Sequence, residues 1–450
     1  MKNILGIHKD LGKEILTLAL PTIIENVFQT LVGFLDTLVI TRLSLVAVTA
    51  VGLANSLLNV YLAVYLAIGV GGTALIARSL GAKQMDKAQV FARQTQDISL
   101  VAGFLFGFIS FFFGRAILQM MGANQVVLED AQVFLNWVGG LSILQANMTG
   151  LATILRASGD SLTPMKVGLL TNLANLIFDY FLVFGVGEWK GLGILGTALG
   201  TVLARLIGCC LLARRVQKTE LALSWKMVSD FKDYKVLFDL ILPATLERLV
   251  MRLGQVVYFS LIVGLGTTVY AAHTIAGSIE AFTYMPAYGL SLAATILIGK
   301  ALGQEEISKM KDIAFLSSAY GVLIMSGMGL FLFVASPSIA QVFTKESNAL
   351  SMVVTALKIA SFNQLGLAVS LIMAGALQGI GDTKTPLYST FIGMWGLRIV
   401  GVYFLANLWG LGIRGIWLAI LIDLILRAIF LSWKFIIQLK SLTVQRDFRQ

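Results

Sequence analysis

The sequence contains little charge, little cysteine and little histidine. Of its 450 residues, 13% are charged and 57% are hydrophobic, whereas soluble domains are about 25% charged and about 45–50% apolar. A soluble fold could not bury this much apolar surface, so lipid must surround most of the chain. The two cysteines, Cys209 and Cys210, are neighbours that point in different directions on a helix, which argues against a disulfide framework. Two histidines are too few for a histidine-rich metal site.

Motifs of nucleotide-driven pumps and of common hydrolases are also missing. The sequence contains no GxxxxGKS or GxxxxGKT loop, no HExxH and no GxSxG. We therefore expect a protein without enzyme activity and without a cofactor. A membrane-embedded enzyme and a passive channel are weaker alternatives, because no catalytic cluster is visible and acids lie inside two repeated halves.

Long apolar runs follow one another along the whole chain. A bilayer core of about 30 Å needs about 20 apolar residues in a helix. The runs predict an all-α integral membrane protein with twelve transmembrane helices. Their approximate bounds are 14–40, 48–77, 94–121, 131–155, 164–186, 192–213, 236–263, 270–298, 313–335, 349–377, 386–406 and 413–435.

The distribution of lysines and arginines along the chain supports a single orientation of these helices. If both termini are cytoplasmic, most lysines and arginines fall in inner segments, as the positive-inside rule requires. The outer segments then contain only Arg42, Arg115, Lys190, Lys345 and Arg414. We predict a multi-pass protein with both termini in the cytoplasm.

The two halves of the chain match at a constant offset of 222 residues. The match includes two proline pairs, one glutamate pair and two longer segments: Pro21 with Pro243, Pro164 with Pro386, Glu25 with Glu247, 73–81 with 295–303, and 159–160 with 381–382. Parallel repeats of this kind are typical of transporters. We predict an N-terminal lobe at 1–213, a cytoplasmic linker at 214–235 and a C-terminal lobe at 236–450.

Six carboxylates lie inside the apolar runs, where a charge costs a few kcal/mol. They are Glu25, Asp36, Asp179, Glu247, Glu280 and Asp423. Glu25, Gln29 and Asp36 form a polar stripe on one face of span 1, since Glu25 and Asp36 are separated by about three helical turns. Asp36 is either a functional acid or a side chain that reaches the outer headgroups.

Span 5 carries a second polar face. Asn172, Asn175 and Asp179 follow i, i+3, i+7 spacing. An amide one turn from a carboxylate can hold the acid protonated or share a hard cation such as sodium. The alternative is a polar clamp between two helices.

The C-terminal half contains the remaining acids. Glu247 precedes Arg248 and Arg252, so it is either half of a structural ion pair with one of these arginines or a substrate-facing acid. Asp423 and Arg427 are four residues apart and predict a local salt bridge. Glu280 has no cation within four residues of its own helix, which makes it a candidate for contacting a cationic substrate.

Aromatic residues and prolines complete the candidate set. Tyr284 belongs to a group of aromatic and methionine side chains that could line a promiscuous pocket for flat cations. Pro21 and Pro243 lie inside spans 1 and 7, where proline removes a helix hydrogen bond and favours a kink. Each kink is either a hinge or static.

Several segments resemble one family of transporters. The repeated pairs TALIARSLGA with ATILIGKALG, and RASGDSLTP with QGIGDTKTP, are similar to the multidrug and toxic compound extrusion (MATE) family. The resemblance covers essentially the whole chain. It implies two six-helix bundles that export organic, often cationic compounds in exchange for protons or sodium ions by alternating access. It also implies a monomer in a prokaryotic cell membrane, with no nucleic-acid partner.

The resemblance also assigns roles to residues. Asp36, Asn175, Asp179 and Thr201 match the family's N-terminal cation site, which implies proton or Na⁺ binding at Asp36 and Asp179. Glu247 matches a glutamate of the NorM-like members, but span 10 lacks the aspartate that accompanies it there. We therefore expect coupling in the N-terminal lobe, with Pro21 as the hinge of span 1.

A lipid-linked oligosaccharide flippase of the same superfamily is the alternative. It would need cationic side chains in a central cavity to hold a pyrophosphate. The bases within apolar runs are Arg205, Arg248, Arg252, Lys358, Arg398 and Arg427.

Overall fold

The computed structural model describes residues 2–186, 189–223 and 231–447, and most of them are helical. The central part of the predicted linker, 224–230, lies outside the described residues. The α-helices are α1 (Lys2–Thr41), α2 (Leu45–Gly81), α3 (Met85–Met120), α4 (Gln125–Phe134), α5 (Ser142–Ala157), α6 (Leu162–Phe184), α7 (Ile194–Val216), α8 (Phe231–Val263), α9 (Thr267–Thr283), α10 (Met285–Gly303), α11 (Ile307–Phe343), α12 (Ser347–Ile380), α13 (Lys384–Phe391), α14 (Val400–Val402) and α15 (Ile413–Asp447). A hairpin of β1 (Gly185–Val186) and β2 (Trp189–Lys190) joins α6 to the loop before α7.

The helices follow the twelve predicted spans in order. Among the described residues, ten are long and apolar enough to cross a membrane, and the pair α4–α5 adds an eleventh. Helix α8 covers the remaining predicted span, 236–263, but it contains Glu247, Arg248 and Arg252 and is not among the helices that are apolar enough by this criterion. The all-α fold class is therefore confirmed.

Two predicted spans are not the single straight helices that the apolar runs indicated. The run 270–298 contains a break at Tyr284, where α9 ends and α10 begins. Pro286 lies in the first turn of α10, the position where a missing N–H costs least. The run 131–155 contains a π-helical turn, Leu135–Gly139, and then bends by 42° before α5. The prediction of one continuous helix at each of these two places was therefore wrong. Apolar runs show where a span lies, but they do not show where its backbone bends or breaks.

The two halves also share backbone conformations and helix-capping hydrogen bonds at positions 222 residues apart. Lys83 and Glu305 both have positive φ, 57° and 61°, and each lies two residues after a helix that ends in glycine. Asp160 and Asp382 cap α6 and α13 in the same way. Thr163 N donates to Asp160 Oδ1 over 2.9 Å, as Thr385 N does to Asp382 Oδ1 over 2.9 Å. The repeated GD motif is thus a helix-capping device.

Each capping aspartate binds the backbone N–H and the hydroxyl of its threonine. The two aspartates differ in the further side chain that binds them. Arg215 binds the Asp160 carboxylate at 3.1 Å, whereas Gln438 donates to Asp382 at 3.1 Å. Burial alone would raise the pKa of Asp160. Hydrogen bonds from Thr163 and the charge of Arg215 outweigh burial and hold the pKa of this loop carboxyl below its usual value.

This lowered pKa predicts a pH-dependent contribution to stability. It is present above the unfolded pKa of about 3.9 and is lost as the pH falls through the folded value. Asp160→Asn should lower the apparent melting temperature of the detergent-purified protein at pH 7, and more than Asp382→Asn does. Below the folded pKa of Asp160 the wild-type carboxyl is protonated too, so the difference between wild type and Asp160→Asn should disappear there. A difference that is independent of pH would contradict this explanation.

The chain divides into two compact units. Unit 1 comprises Met1–Ile23 and Leu242–Gln450, and unit 2 comprises Ile24–Ile241. The boundaries fall inside α1 and α8, next to Pro21 and Pro243. Both helices continue through their proline. The kinks at these prolines and the lobe limits at 213 and 236 stay predictions.

Candidate functional site

Two aspartates meet inside unit 2. Asp179 of α6 is completely buried, and its carboxyl lies within hydrogen-bond distance of the carboxyl of Asp36 on α1. Among the described residues, one oxygen of each carboxyl has no hydrogen-bond donor. Asp36 is half-buried, and two adjacent carboxylates repel each other unless a proton or a cation lies between them. The pair is therefore suited to bind and release a positive charge.

The other two residues of the expected cation site surround this pair. Asn175 Nδ2 donates to Asp179 Oδ2 over 3.1 Å and approaches Thr201 Oγ1 at 3.4 Å. Thr201 in turn donates to the carbonyl oxygen of Thr197 over 3.0 Å. The structure thus places Asp36, Asn175, Asp179 and Thr201 in one cluster.

Two neighbouring residues of α7 complete the cluster and were missed from the sequence. Thr197 is 1% exposed, and its hydroxyl has no partner within the part of the chain that the structure describes. A Cβ atom at Gly200 would overlap Asp179 Oδ1, so this glycine makes room for the carboxyl. The spacing of Gly196 and Gly200, typical of close helix contacts in membranes, was the available signal.

The chemistry of the cluster fits a small hard cation or a proton. Its groups are carboxylate, hydroxyl and amide oxygens, which are the ligands that hard cations prefer. The unpartnered oxygens of Asp36 and Asp179 could belong to such a shell. Among the described residues, no group of three or more histidine, cysteine or acidic side chains forms a metal site. The residues present therefore fit Na⁺ or H⁺ better than a transition metal.

Glu25 and Gln29 have surroundings that differ from those of Asp36. The Glu25 carboxylate binds Arg156 of α5 at 2.6 Å, with both side chains less than one-fifth exposed. A Cβ atom at Gly168 would lie 3.1 Å from Glu25 Oε1, so α6 also packs closely here. Gln29 is exposed. The predicted polar stripe on α1 is thus divided between an ion pair, an exposed amide and the Asp36 site.

In unit 1, Asp423 is the centre of an ion cluster. It is completely buried, binds Arg427 at 2.6 Å as predicted, and also binds Arg398 at 2.8 Å. Span 11 is π-helical at Ile392–Ile399, and a Cβ atom at Gly393 would overlap both Asp423 and Arg427. The widened helix therefore accommodates the ion cluster.

The predicted salt bridge between Asp423 and Arg427 is confirmed. Arg398 is an additional partner that sequence spacing did not indicate.

Glu247 has a neutral partner. Thr390 Oγ1 lies 3.2 Å from Glu247 Oε1, and Arg427 Nη1 approaches the same hydroxyl at 3.4 Å. In the described ranges, no cation lies within 4 Å of the Glu247 carboxylate. The predicted ion pair with Arg248 is therefore not formed, and the substrate-facing alternative stays a prediction.

Glu280 and Tyr284 flank the last turn of α9. The Glu280 carboxyl lies near Asn363 of α12 and within the field of Arg398. Tyr284 occupies the break between α9 and α10 and is 37% exposed. It lies close enough to Glu280 for the two side chains to interact electrostatically. The structure thus brings these two candidates together, in a different unit from the Asp36 cluster.

Comparison with known proteins identifies a family for the chain. A family model described as MatE matches residues 21–181 and again 243–404, so both halves match the same pattern. A probable multidrug resistance protein NorM of Thermotoga maritima is 27% identical over 93% of this chain and 91% of its own. The multidrug resistance protein MdtK of Yersinia pseudotuberculosis is 26% identical, covering 93% and 94% respectively.

Solved structures show the same fold. An outward-facing multidrug resistance MATE transporter of the MOP superfamily is 22% identical and has a TM-score of 0.90, with 96% of each chain covered. A MATE structure in a bent conformation has a TM-score of 0.91 at 21% identity and covers 99% of each chain.

Proposed function

Because the chain belongs to the MatE family of multidrug efflux transporters, we propose that it exports organic, often cationic compounds in exchange for H⁺ or Na⁺. It is a multi-pass protein, and its bacterial relatives indicate the plasma membrane. The observation that carries the antiport proposal is the buried contact between Asp36 and Asp179. Two adjacent carboxylates repel each other, so the pair favours uptake of a proton or a cation.

Coupling requires that the bound cation changes the affinity for the drug. Cation uptake at Asp36 and Asp179 removes the repulsion between α1 and α6, with Asn175 and Thr201 supporting the loaded form. A drug that binds the unloaded form more tightly is then released when the cation enters. In this proposal α1 bends at Pro21, and the bend transmits the change along the helix.

The cationic drug itself contacts acidic and aromatic side chains. Glu247, Glu280 and Tyr284 are the candidates in unit 1, because neither carboxylate has a close ion-pair partner among the described residues. Glu25 is a weaker candidate, since Arg156 already neutralises it. A monomer suffices for this mechanism, and the coupling ion is the only added component it needs.

Ethidium transport in proteoliposomes tests the function. With the purified protein reconstituted, a proton gradient and a sodium gradient are applied separately, and ethidium movement is followed by fluorescence. We expect one gradient to drive ethidium against its concentration gradient, and the other to have little effect. Liposomes without protein provide the control. Movement that follows only the ethidium gradient would show a passive pathway and would contradict antiport.

The flippase alternative is not favoured. The relatives named above are multidrug resistance proteins. A flippase of this kind needs free cations in its cavity, but Arg398 and Arg427 bind Asp423. Arg252 bonds to Gln255, and Lys358 lies over the ring of Phe333.

A further inference from the structure

One arginine within the spans of unit 2 has no role in the mechanism above. Arg205 lies on α7, four residues after Thr201, so the two share a face of the helix and are about 6 Å apart along its axis. Leu203 and Ile207, two residues before and after Arg205, are exposed and lie on the opposite face, since each residue turns the helix by about 100°. The half-buried Arg205 side chain is therefore directed into unit 2, on the side of the Asp36 cluster.

Arg205 has no counter-charge among the described residues. Its guanidinium forms neither a salt bridge nor a hydrogen bond with any of them. The three intramembrane carboxylates of unit 2 have other neighbours: Glu25 binds Arg156 at 2.6 Å, and Asp36 adjoins Asp179. An arginine inside a membrane protein is costly unless it is paired with an anion. The described part of unit 2 does not supply that anion, which leaves room for a negatively charged ligand.

Tyr65 of α2 also lacks a hydrogen-bond partner and lies close to Arg205. The residue is 1% exposed, and its hydroxyl reaches hydrogen-bond geometry with no described residue. Ser142 is near, but it donates its own hydroxyl to the carbonyl oxygen of Gly103 over 2.9 Å. The Tyr65 hydroxyl is close enough to Arg205 for the two groups to interact electrostatically. Buried hydroxyls normally have partners, so these two donors mark a place for an acceptor.

The two donors suit one carboxylate better than a larger anion. The guanidinium presents parallel N–H groups that match the two oxygens of a carboxylate. The Tyr65 O–H can donate to one of the same oxygens. A pyrophosphate carries more charge and needs several cations, but of the six bases named above for a flippase only Arg205 belongs to unit 2. One guanidinium balances the charge of one carboxylate.

We propose that Arg205 and Tyr65 bind the carboxylate of exported organic compounds, so that the substrates include zwitterions as well as simple cations. The guanidinium keeps its charge throughout, and no covalent bond changes. The proposal rests on the proposed function, because it extends the class of compounds that the transporter exports. A carboxylate bound here lies about one helical turn from Thr201, in the unit that carries the proposed coupling site.

Two dyes that differ in one group test the proposal. A rhodamine with a free benzoate is compared with its methyl ester, which has the same chromophore but no carboxylate. Fluorescence anisotropy measures the Kd of each dye for the purified protein in detergent. Arg205→Gln should weaken binding of the acid by about tenfold or more, because charge-assisted hydrogen bonds are lost, and should leave the Kd of the ester within about twofold.

Three further variants sharpen this comparison. Tyr65→Phe removes only the hydroxyl and should weaken binding of the acid by a smaller factor, about threefold. Arg205→Lys keeps the charge but loses the paired N–H geometry, so it should also weaken binding of the acid and spare the ester. This variant keeps the test decisive if Arg205→Gln does not fold. Arg115→Gln, at an exposed arginine of α3 in the same unit, is the matched control and should bind both dyes like wild type.

The outcomes separate this proposal from the proposed function. Equal weakening of both dyes by the Arg205 variants, no weakening of the acid, or a wild type that does not bind the acid overturns the carboxylate site. A wild-type melting temperature that rises with chloride but not with the acid dye would assign the site to a free inorganic anion and would also overturn it. Failure of an ion gradient to drive the ester, which has no carboxylate, overturns the proposed function instead.

Discussion

Asp36→Asn is expected to reduce gradient-driven ethidium efflux to the level of liposomes without protein, while the protein stays folded. The substitution removes one of two carboxyls that meet in a buried site. Asparagine has the same shape as a protonated aspartate but can neither release a proton nor supply a negative charge to Na⁺. The variant should therefore resemble a permanently loaded transporter.

The measurement is initial efflux rate in proteoliposomes, together with ethidium binding in detergent. Ethidium binding should be weaker in Asp36→Asn than in wild type, because the variant resembles the loaded form that releases the drug. Asp179→Asn should behave similarly, because each carboxyl depends on the other. Asp86→Asn, at an exposed acid that starts α3, is the matched control and should transport like wild type. Normal gradient-driven efflux by Asp36→Asn would exclude the pair as the coupling site.

Much of the fold was predictable because its causes are local in the sequence. Twelve spans follow from the length of apolar runs, which the bilayer thickness dictates. The caps at Asp160 and Asp382 repeat because each lies three residues before the threonine that it binds. The contact of Asn175 with Asp179 also follows from spacing, since the two residues are one helical turn apart.

Contacts between distant segments were not predictable from spacing. Glu25 binds Arg156, which is 131 positions away in the sequence. Arg398 of span 11 binds Asp423 of α15, which is 25 positions away. Periodicity shows which face of a helix is polar, but it does not show which other helix covers that face. The meeting of Asp36 with Asp179 was expected only through resemblance to a family. The break at Tyr284 was missed because its neighbours are as apolar as those of an unbroken span.

Gly200 was missed for a similar reason, and its substitution gives the second large effect. Gly200→Ala places a methyl group where Asp179 Oδ1 now lies. The carboxyl must then turn away from Asp36 and Asn175, or α7 must move away from α6. Overpacking of this kind costs about 1–3 kcal/mol. If that cost falls on the loaded form of the site, efflux should decrease by about tenfold or more.

The matched control is Gly52→Ala on α2 of the same unit. A Cβ atom there meets nothing within 4 Å, and alanine is favoured over glycine in helices by about 1 kcal/mol. Gly52→Ala should therefore transport normally and melt no earlier than wild type. Gly200→Ala should lose efflux even in preparations that fold, because the displaced group is the carboxyl that binds the cation. Equal efflux rates for the two variants would mean that the Asp179 carboxyl can move without losing its cation, so its position beside Asp36 would not be needed for coupling.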